Sequence, residues 1–398
     1  MYMDKLFLKQ GEEDRILRGH PWIFDNEIGR FQGECPDGKP VEVFSKSGLF
    51  LGTGVINRHS RISVRLFSRT RGETLDRAFF VARIREAFDH RMRLYGPDSS
   101  WRLVFAEADF IPGLVVDRFL DISGRVWLVA QFLTLGADVF RTEVREALVE
   151  VCSPAGIYER SDVHVRALEG LEETTGWMWG SGDPVIEIKE NGVNIRVDLA
   201  HGQKTGYFLD QKDNRALVAR YARDLRVLDT FTHTGAFGLN AAYGGASGVI
   251  SADISAEAIQ TVQYNIERNG FSQRMQAVQA DVFELLRNYE KEDRRFDMII
   301  LDPPAFTKSA KMAEKAYGGY KEINLRAMKL LERGGYLVTC SCSHFFPAEL
   351  FYKMIHSAAG DAKRTYQILS RNGPAGDHPV LGGYPESDYL KCAFLRIW

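Results

Sequence analysis

FDMIILDPPAF at residues 296–306, followed by GYLVTCSCSH at 335–344, decides how this chain folds. Each segment carries an apolar run of strand length that ends in turn-forming residues. A strand wetted on one side alternates apolar and polar residues, whereas a near-continuous run suits a parallel strand covered on both faces. In an open α/β sheet the ligand crevice lies beyond the carboxyl ends of such strands. The fold then delivers Asp302, the stiff pair Pro303-Pro304, the Phe306 ring and a thiol of the Cys340-Ser341-Cys342 stretch to one mouth. A thiol and a carboxylate beside a planar ring are what covalent chemistry on a pyrimidine needs.

The same rhythm runs outward from about His201. RVLDTF, GVISADIS and MQAVQADV read as strands, with helices at GAFGLNAAY, AEAIQTVQYNIERNG and PAELFYKMIHSAAG, and YLKCAFLRIW closes the series. This is a doubly wound α/β domain, placed at 191–398. Residues 1–75 read instead as short strands punctuated by Gly, as in VEVFSKSGLFLGTGVINRHSRISVRLFSR, which suits a small β-barrel. Between them, 76–190 predicts an α+β unit. It has a helix over about Leu75–Tyr95 with Phe80, Ile84 and Phe88 on one stripe, strands around LVVDRFLDISGRVWLVAQFL, a helix near Asp138–Val151 and strands through GDPVIEIKENGVNIRVDL.

Charge is balanced over 398 residues, 51 Lys+Arg against 53 Asp+Glu, so no global field advertises a nucleic acid. Between Ile56 and Arg93, however, ten Arg and no Lys face four acids, a local balance of +6. Arg without Lys suits bidentate phosphate contacts and stacking on bases, which makes Arg58, Arg61, Arg65 and Arg69 candidate RNA ligands; a solvated charged face is the alternative. Five scattered Cys argue against a disulfide framework and for a reducing cytoplasm. The first residues lack an apolar signal core, and no run reaches membrane-spanning length. No metal-ligand pattern stands out: Cys340-x-Cys342-x-His344 has no second ligand pair.

The cofactor is read from the strand ends. Strand one of the α/β domain ends in Asp229-Thr230-Phe231-Thr232-His233-Thr234-Gly235-Ala236-Phe237-Gly238, and strand two in Asp253-Ile254, 24 residues after Asp229. An acid at the end of strand two is placed to accept both hydroxyls of a ribose, which fits a nicotinamide dinucleotide and S-adenosylmethionine alike. GxGxxG, which brings backbone N–H groups against a pyrophosphate, is absent. Gly235 and Gly238 allow backbone to approach a ligand without building that cradle, and S-adenosylmethionine has no phosphate to hold. Asp281 is then expected near the adenine edge, with Phe231, Thr234, Gly235, Phe237, Ile254 and Pro303 lining the same site. Each acid can instead be a helix N-cap, since each closes a strand just before a helix.

For the reaction, the C5 carbon of a pyrimidine is too weak a nucleophile to take a sulfonium methyl directly. A thiolate added to C6 makes C5 enamine-like, dividing one hard step into easier ones. Cys342 precedes a helix whose N-terminus favours a thiolate. Asp302 is expected on the Watson–Crick edge of the base, and Phe306 on a base or a methionine tail. A cysteine at a strand end can equally be a small buried hydrophobe.

These residues resemble the bacterial and archaeal 23S rRNA cytosine-C5 methyltransferases, in which a PUA domain and an EEHEE-type middle domain precede a class I methyltransferase domain. The resemblance spans nearly the whole chain. It is carried by Arg18–Phe24, Ile111–Arg118, Glu159–Asp162, Glu169–Leu171, Gly202–Gln211, the Asp229–Gly238 loop, Asp302–Phe306, Ser341–Ser343, Asp377–Val380 and Tyr384–Glu386. It implies that Cys342 is the nucleophile, and that Gln203, Lys204, Tyr207, Phe208 and Asp210 belong to the segment covering the methionine end of S-adenosylmethionine. It also implies that 23S rRNA is the partner, and it leaves room for a homodimer. The target base must be unstacked before C6 can be attacked. Two other functions compete: methylation of a base nitrogen, which uses Asp-Pro-Pro-aromatic motifs and no thiol, and RNA binding without catalysis. A dehydrogenase is weakened by the missing GxGxxG.

Overall fold

A computed structural model describes residues 3–307 and 313–398. Among these residues the strands form sheets of six, five, two and seven members. The chain divides into two compact units, Met1–Ile188 with Val197–Leu209 and Gly376–Ser387, and Lys189–Arg196 with Asp210–Ala375 and Asp388–Trp398.

In the first unit, β1 (Lys5–Leu8), the short α1 (Glu13–Leu17), β2 (Trp22–Phe24), β3 (Ile28–Gln32), β4 (Pro40–Phe44), β5 (Phe50–Ile56) and β6 (Ile62–Ser68) come first. The strands pair in the order β2-β6-β5-β4-β1-β3. Of the glycines expected to punctuate strands, Gly48 lies between β4 and β5, whereas Gly52 and Gly54 lie inside β5. A Cβ on Gly54 would stand 2.4 Å from the Arg65 carbonyl oxygen, so glycine there lets β6 come close. Next, α2 (Arg77–Tyr95) is capped by Asp76, whose carboxylate accepts from Phe79 N–H (3.0 Å). It buries Phe79, Phe80, Ile84 and Ala87.

The second sheet uses β7 (Trp101–Phe105), β8 (Leu114–Leu120), β9 (Val126–Phe132) and, after α3 (Leu135–Asp138) and α4 (Arg141–Cys152), β10 (Gly156–Ser161) and β11 (Thr174–Gly180), in the order β11-β10-β9-β8-β7. The two sheets share a core in which Val55 and Phe67 pack with Trp101, Leu128 and Ile157. The GDPVIEIKENGVNIRVDL segment forms the strands expected of it, β12 (Val185–Glu190) and β13 (Val193–Asp198), as a separate hairpin. Its Asn191-Gly192 turn has φ of 51° and 93°, the doubly positive conformation of a tight hairpin, so the segment pairs with itself.

The second unit contains α5 (Lys212–Tyr221), β14 (Arg226–Thr230), α6 (Ala236–Tyr243), β15 (Gly248–Asp253), α7 (Ala256–Arg268), β16 (Met275–Gln279), α8 (Val282–Lys291), β17 (Phe296–Leu301), α9 (Ala313–Leu330), β18 (Leu331–Ser341), α10 (Ala348–Ala362), β19 (Tyr366–Asn372) and β20 (Lys391–Ile397). The sheet order is β16-β15-β14-β17-β18-β20-β19, with β14 to β18 parallel and β20 antiparallel to both its neighbours. The expected doubly wound sheet is present, and its order reverses between β14 and β17, where a ligand crevice belongs. β19 was not anticipated: it alternates half-buried and exposed residues, the weak pattern of an edge strand. Leu228, Ile299, Leu301, Leu337, Phe351, Met354 and Leu395 fill the core. Among the described residues no helix is long and apolar enough to cross a membrane.

Candidate active site

The carboxyl ends of β14, β15, β17 and β18 hold the expected polar groups. Asp229 is fully buried on β14, and one of its oxygens accepts from Gly238 N–H (3.0 Å), Ser251 Oγ (3.0 Å) and the Thr232 hydroxyl. Its other oxygen, Oδ1, is buried without a partner among the described residues. Burial pushes its pKa up to about 6. Gly238 serves this arrangement: a Cβ there would meet Ser251 Oγ at 2.2 Å, Met275 at 2.9 Å and Asp229 at 3.0 Å. Gly235, at φ 83°, turns the chain into α6.

The three strand-end acids separate by role. Asp281 is the N-cap of α8, its Oδ1 accepting from Phe283 N–H (2.8 Å) and Glu284 N–H (3.1 Å). Asp253 is not a cap, because Ser255 caps α7. Its two oxygens accept from His233 N–H and Ser255 N–H, both at 3.0 Å, which fixes a half-buried carboxylate with lone pairs to spare. Beside it Ile254 is 65 % exposed, an apolar face at the site's rim. Phe231 and His233 hold left-handed backbone at φ 56° and 51°, strain of the kind that collects at functional loops. Thr234 and Phe237 are buried, and the Arg215 guanidinium lies 5.9 Å from the Phe237 ring.

Asp302 at the end of β17 accepts from Gln211 Nε2 (3.0 Å), whose carbonyl in turn accepts from Asn214 (2.6 Å). Burial first, then the charges of Asp210 and Asp229, raise the Asp302 pKa to about 7. The Tyr389 hydroxyl donates to Asp210, whose Oδ1 is again buried without a partner among the described residues. Three neighbouring carboxyl groups with two unpartnered oxygens suit a cationic ligand and would repel a pyrophosphate. The sulfonium and ammonium of S-adenosylmethionine fit, with Asp253 for its ribose and Ile254 for an aromatic face.

Cys342 follows β18 and is half-buried, whereas Cys340 is fully buried opposite Cys392 on β20. A hydrogen bond with the Cys392 thiol, then burial, raises the Cys340 pKa well above the ordinary thiol value, which disfavours its thiolate. The helix expected just after Cys342 begins only at Ala348, beyond a turn in which Phe346 N–H donates to Ser343 O (3.2 Å). Lys391, 6 % exposed, donates to the carbonyls of Ser343 (2.6 Å) and Tyr389 (2.8 Å). Tyr320, buried on α9, ties the two strand ends together: its hydroxyl accepts from Ser341 Oγ (3.1 Å) and Phe306 N–H (3.5 Å). Its ring packs on Phe306 (4.5 Å) and Phe346 (4.8 Å). Phe306 also meets Phe231 and Phe283, and Pro303 is buried. Sequence reasoning gave no role to Gln211, Tyr320 or Lys391; the one available signal was a Tyr-x-Lys pair entering a core strand.

The remaining expected ligands lie in the first unit. Gln203 and Lys204 are exposed there, Tyr207 is buried and Phe208 half-buried, whereas Asp210 belongs to the second unit. Among the arginines, Arg65 is buried and ion-paired with Glu169 (2.9 Å) and Glu107 (3.8 Å). Arg69 donates to the carbonyls of Ile16 (2.8 Å) and His20 (3.1 Å). Arg58, paired with Asp37 (3.3 Å), and Arg61 are exposed.

Comparison with known proteins agrees with this fold and this cofactor. Residues 6–69 match the PUA-like domain family and 147–362 the S-adenosylmethionine-dependent methyltransferase family. The chain is similar to proteins named ribosomal RNA large subunit methyltransferase I: 42% identical over 396 residues to that of Aliivibrio fischeri strain MJ11, covering 98% of this chain and 99% of the relative. It is also 42% identical over 396 residues to that of Tolumonas auensis, covering 98% of each. Among solved structures, SMU.776, crystallised in complex with SAH, superposes with a TM-score of 0.84 at 22% identity, over 98% of this chain and 99% of that one. The chain belongs to the S-adenosylmethionine-dependent methyltransferase family and, within it, to the group of ribosomal RNA large subunit methyltransferase I proteins.

Proposed function

We propose that this protein forms 5-methylcytidine in 23S rRNA through a covalent bond between Cys342 and C6 of the base. The observation that carries the reading is the pairing of a half-buried Cys342 with Asp302 at the ends of adjacent parallel strands, cross-tied by Tyr320. The rRNA substrate is proposed from the naming of relatives 42% identical over almost the full chain.

S-adenosylmethionine, the cofactor of this family, supplies the methyl group as a sulfonium. Asp253, Asp302 and Asp210 would hold its ribose and its cationic end. The Cys342 thiolate adds to C6, and the C5–C6 electron pair becomes the nucleophile at C5. Asp302, ionised beside the bound cation, would accept from the amino group on the Watson–Crick edge of the base. After C5 takes the methyl group, transfer of the C5 proton to solvent expels the Cys342 thiolate and restores the aromatic ring. We assign recognition of the RNA to the PUA-like segment, keeping Arg58 and Arg61 as contacts and reading Arg65 as structural. Phe306 is held among protein rings and would shape the pocket wall. Action on rRNA also supports the expected cytoplasmic location.

The test is nucleoside analysis of unmodified large-subunit rRNA after incubation with the protein and methyl-labelled S-adenosylmethionine. Labelled 5-methylcytidine supports the reading; a labelled purine transfers it to nitrogen methylation, where Cys342 has no chemical role.

A further inference from the structure

A buried lysine needs a reason, because an ammonium out of water is costly unless its donors are used. Lys391 sits opposite Ser341 in the β18/β20 register, and its ammonium donates to the carbonyl of Ser343 (2.6 Å) and to that of Tyr389 (2.8 Å). It therefore grips the chain on both sides of Cys342, and the two bonds leave a third N–H in hand. Lysine carries its charge at the tip of a flexible stem, yet here the tip is fixed.

We propose that Lys391 is the positioning residue that holds Cys342 as a thiolate, resting on the C5 reading of the same site. The groups facing this pair are Asp388 ahead of β20, Tyr320 of α9 and, beyond Tyr320, Asp302 of β17. Burial lowers the lysine pKa to about 8, while Cys342 and Asp388 act to keep the proton on. Placed beside each other, ammonium and thiolate each favour the other's charged form: the lysine pKa rises and the thiol pKa falls. Carbonyl acceptors reinforce this, since they bond only the protonated amine. The role fills the place of the helix end, which begins beyond the intervening turn.

The test is alkylation of Cys342 by iodoacetamide across a pH series, resolved by mass spectrometry from the other four cysteines. The wild-type thiol is expected to titrate below the ordinary value of about 8.5. Lys391→Met, which keeps the chain length and drops the charge, is expected to move that titration upward and to slow alkylation at neutral pH by about tenfold or more. Methyl transfer by the variant should recover in part at alkaline pH, with the cofactor affinity unchanged. A lysine that only ties two carbonyls would lower the melting temperature and leave the alkylation profile where it was; that result overturns the proposal. If Lys391→Met does not fold, the wild-type profile decides alone, since a Cys342 titrating in the ordinary range also overturns it. A purine product from wild type would sink the C5 reading while the alkylation profile still answered for Lys391.

Discussion

Gln211 donates its side-chain amide to Asp302 at 3.0 Å while Asn214 fixes the amide's other end at 2.6 Å. One oxygen of Asp302 is thereby committed as an acceptor, so its proton, when present, rides on the other. That oxygen is the one free to meet a ligand.

This arrangement makes cofactor binding depend on pH. Asp302 and Asp229, with pKa values raised to about 7 and about 6, share their surroundings with Asp210. A cation favours their ionised forms, so affinity for S-adenosylmethionine is expected to rise as pH climbs through this window, by at most about tenfold per pH unit for each proton released. S-adenosylhomocysteine, without the sulfonium charge, is expected to show a shallower slope, which calorimetry in buffers of different ionisation enthalpy would resolve. Parallel slopes for both ligands would remove the sulfonium from the argument. The same carboxyls affect stability with a definite sign. Their folded pKa values exceed the unfolded value of about 4, so their stabilisation is complete below that value and lost as pH rises through 6 and 7. Asp302→Asn should abolish its share of that loss in the ligand-free protein.

Asp253 and Asp281 end neighbouring strands but are expected to respond differently. Asp253→Ala removes a fixed acceptor and should weaken cofactor binding by about 10- to 100-fold, the value of one or two hydrogen bonds to a charged group. Asp281→Ala deletes the α8 cap and should cost about 1 kcal/mol of stability with a far smaller effect on binding. Paired thermal melts and binding titrations separate the two; a large binding loss from Asp281→Ala would return it to the cofactor site.

Much of the second unit was legible because its parallel strands are covered on both faces and read as apolar runs, and because function gathers where those runs stop. The places of Asp302 and Cys342 at strand ends follow from the same pattern. What escaped depends on partners far apart in sequence. Gln211 and Asp302 are separated by 91 positions and Lys391 and Ser343 by 48, and no local pattern encodes either contact. The arginine-rich stretch shows the converse for some of its members. Its local +6 looked like an exposed charge, but Arg65 is neutralised by Glu169 and Arg91 by Asp109 (2.6 Å), carboxylates from outside the stretch. The helix N-cap explanation, which fits any acid between strand and helix, holds for Asp281 and fails for Asp253 because Ser255 does the capping.

Tyr320 is expected to matter through its oxygen as well as its ring. Tyr320→Phe keeps the stacking on Phe306 and Phe346 but strands the Ser341 hydroxyl and Phe306 N–H, a loss of about 1–2 kcal/mol. Because these bonds set the Asp302 loop against the Cys342 loop, the turnover number should fall more than the cofactor affinity. Steady-state kinetics beside a cofactor titration would show it; equal losses in both would mean that the hydroxyl only supports the fold.

The covalent step can be caught directly with large-subunit rRNA transcribed with 5-fluorocytidine, in which fluorine blocks loss of the C5 substituent after methyl transfer. Incubated with S-adenosylmethionine and run under denaturing conditions, the wild-type protein should appear as an RNA-linked species whose cross-linked peptide maps to Cys342. Cys342→Ala should give none, and Cys340→Ala should behave as wild type. Absence of the linked species from a wild-type protein that methylates ordinary rRNA, or its attachment at Cys340, would contradict the account.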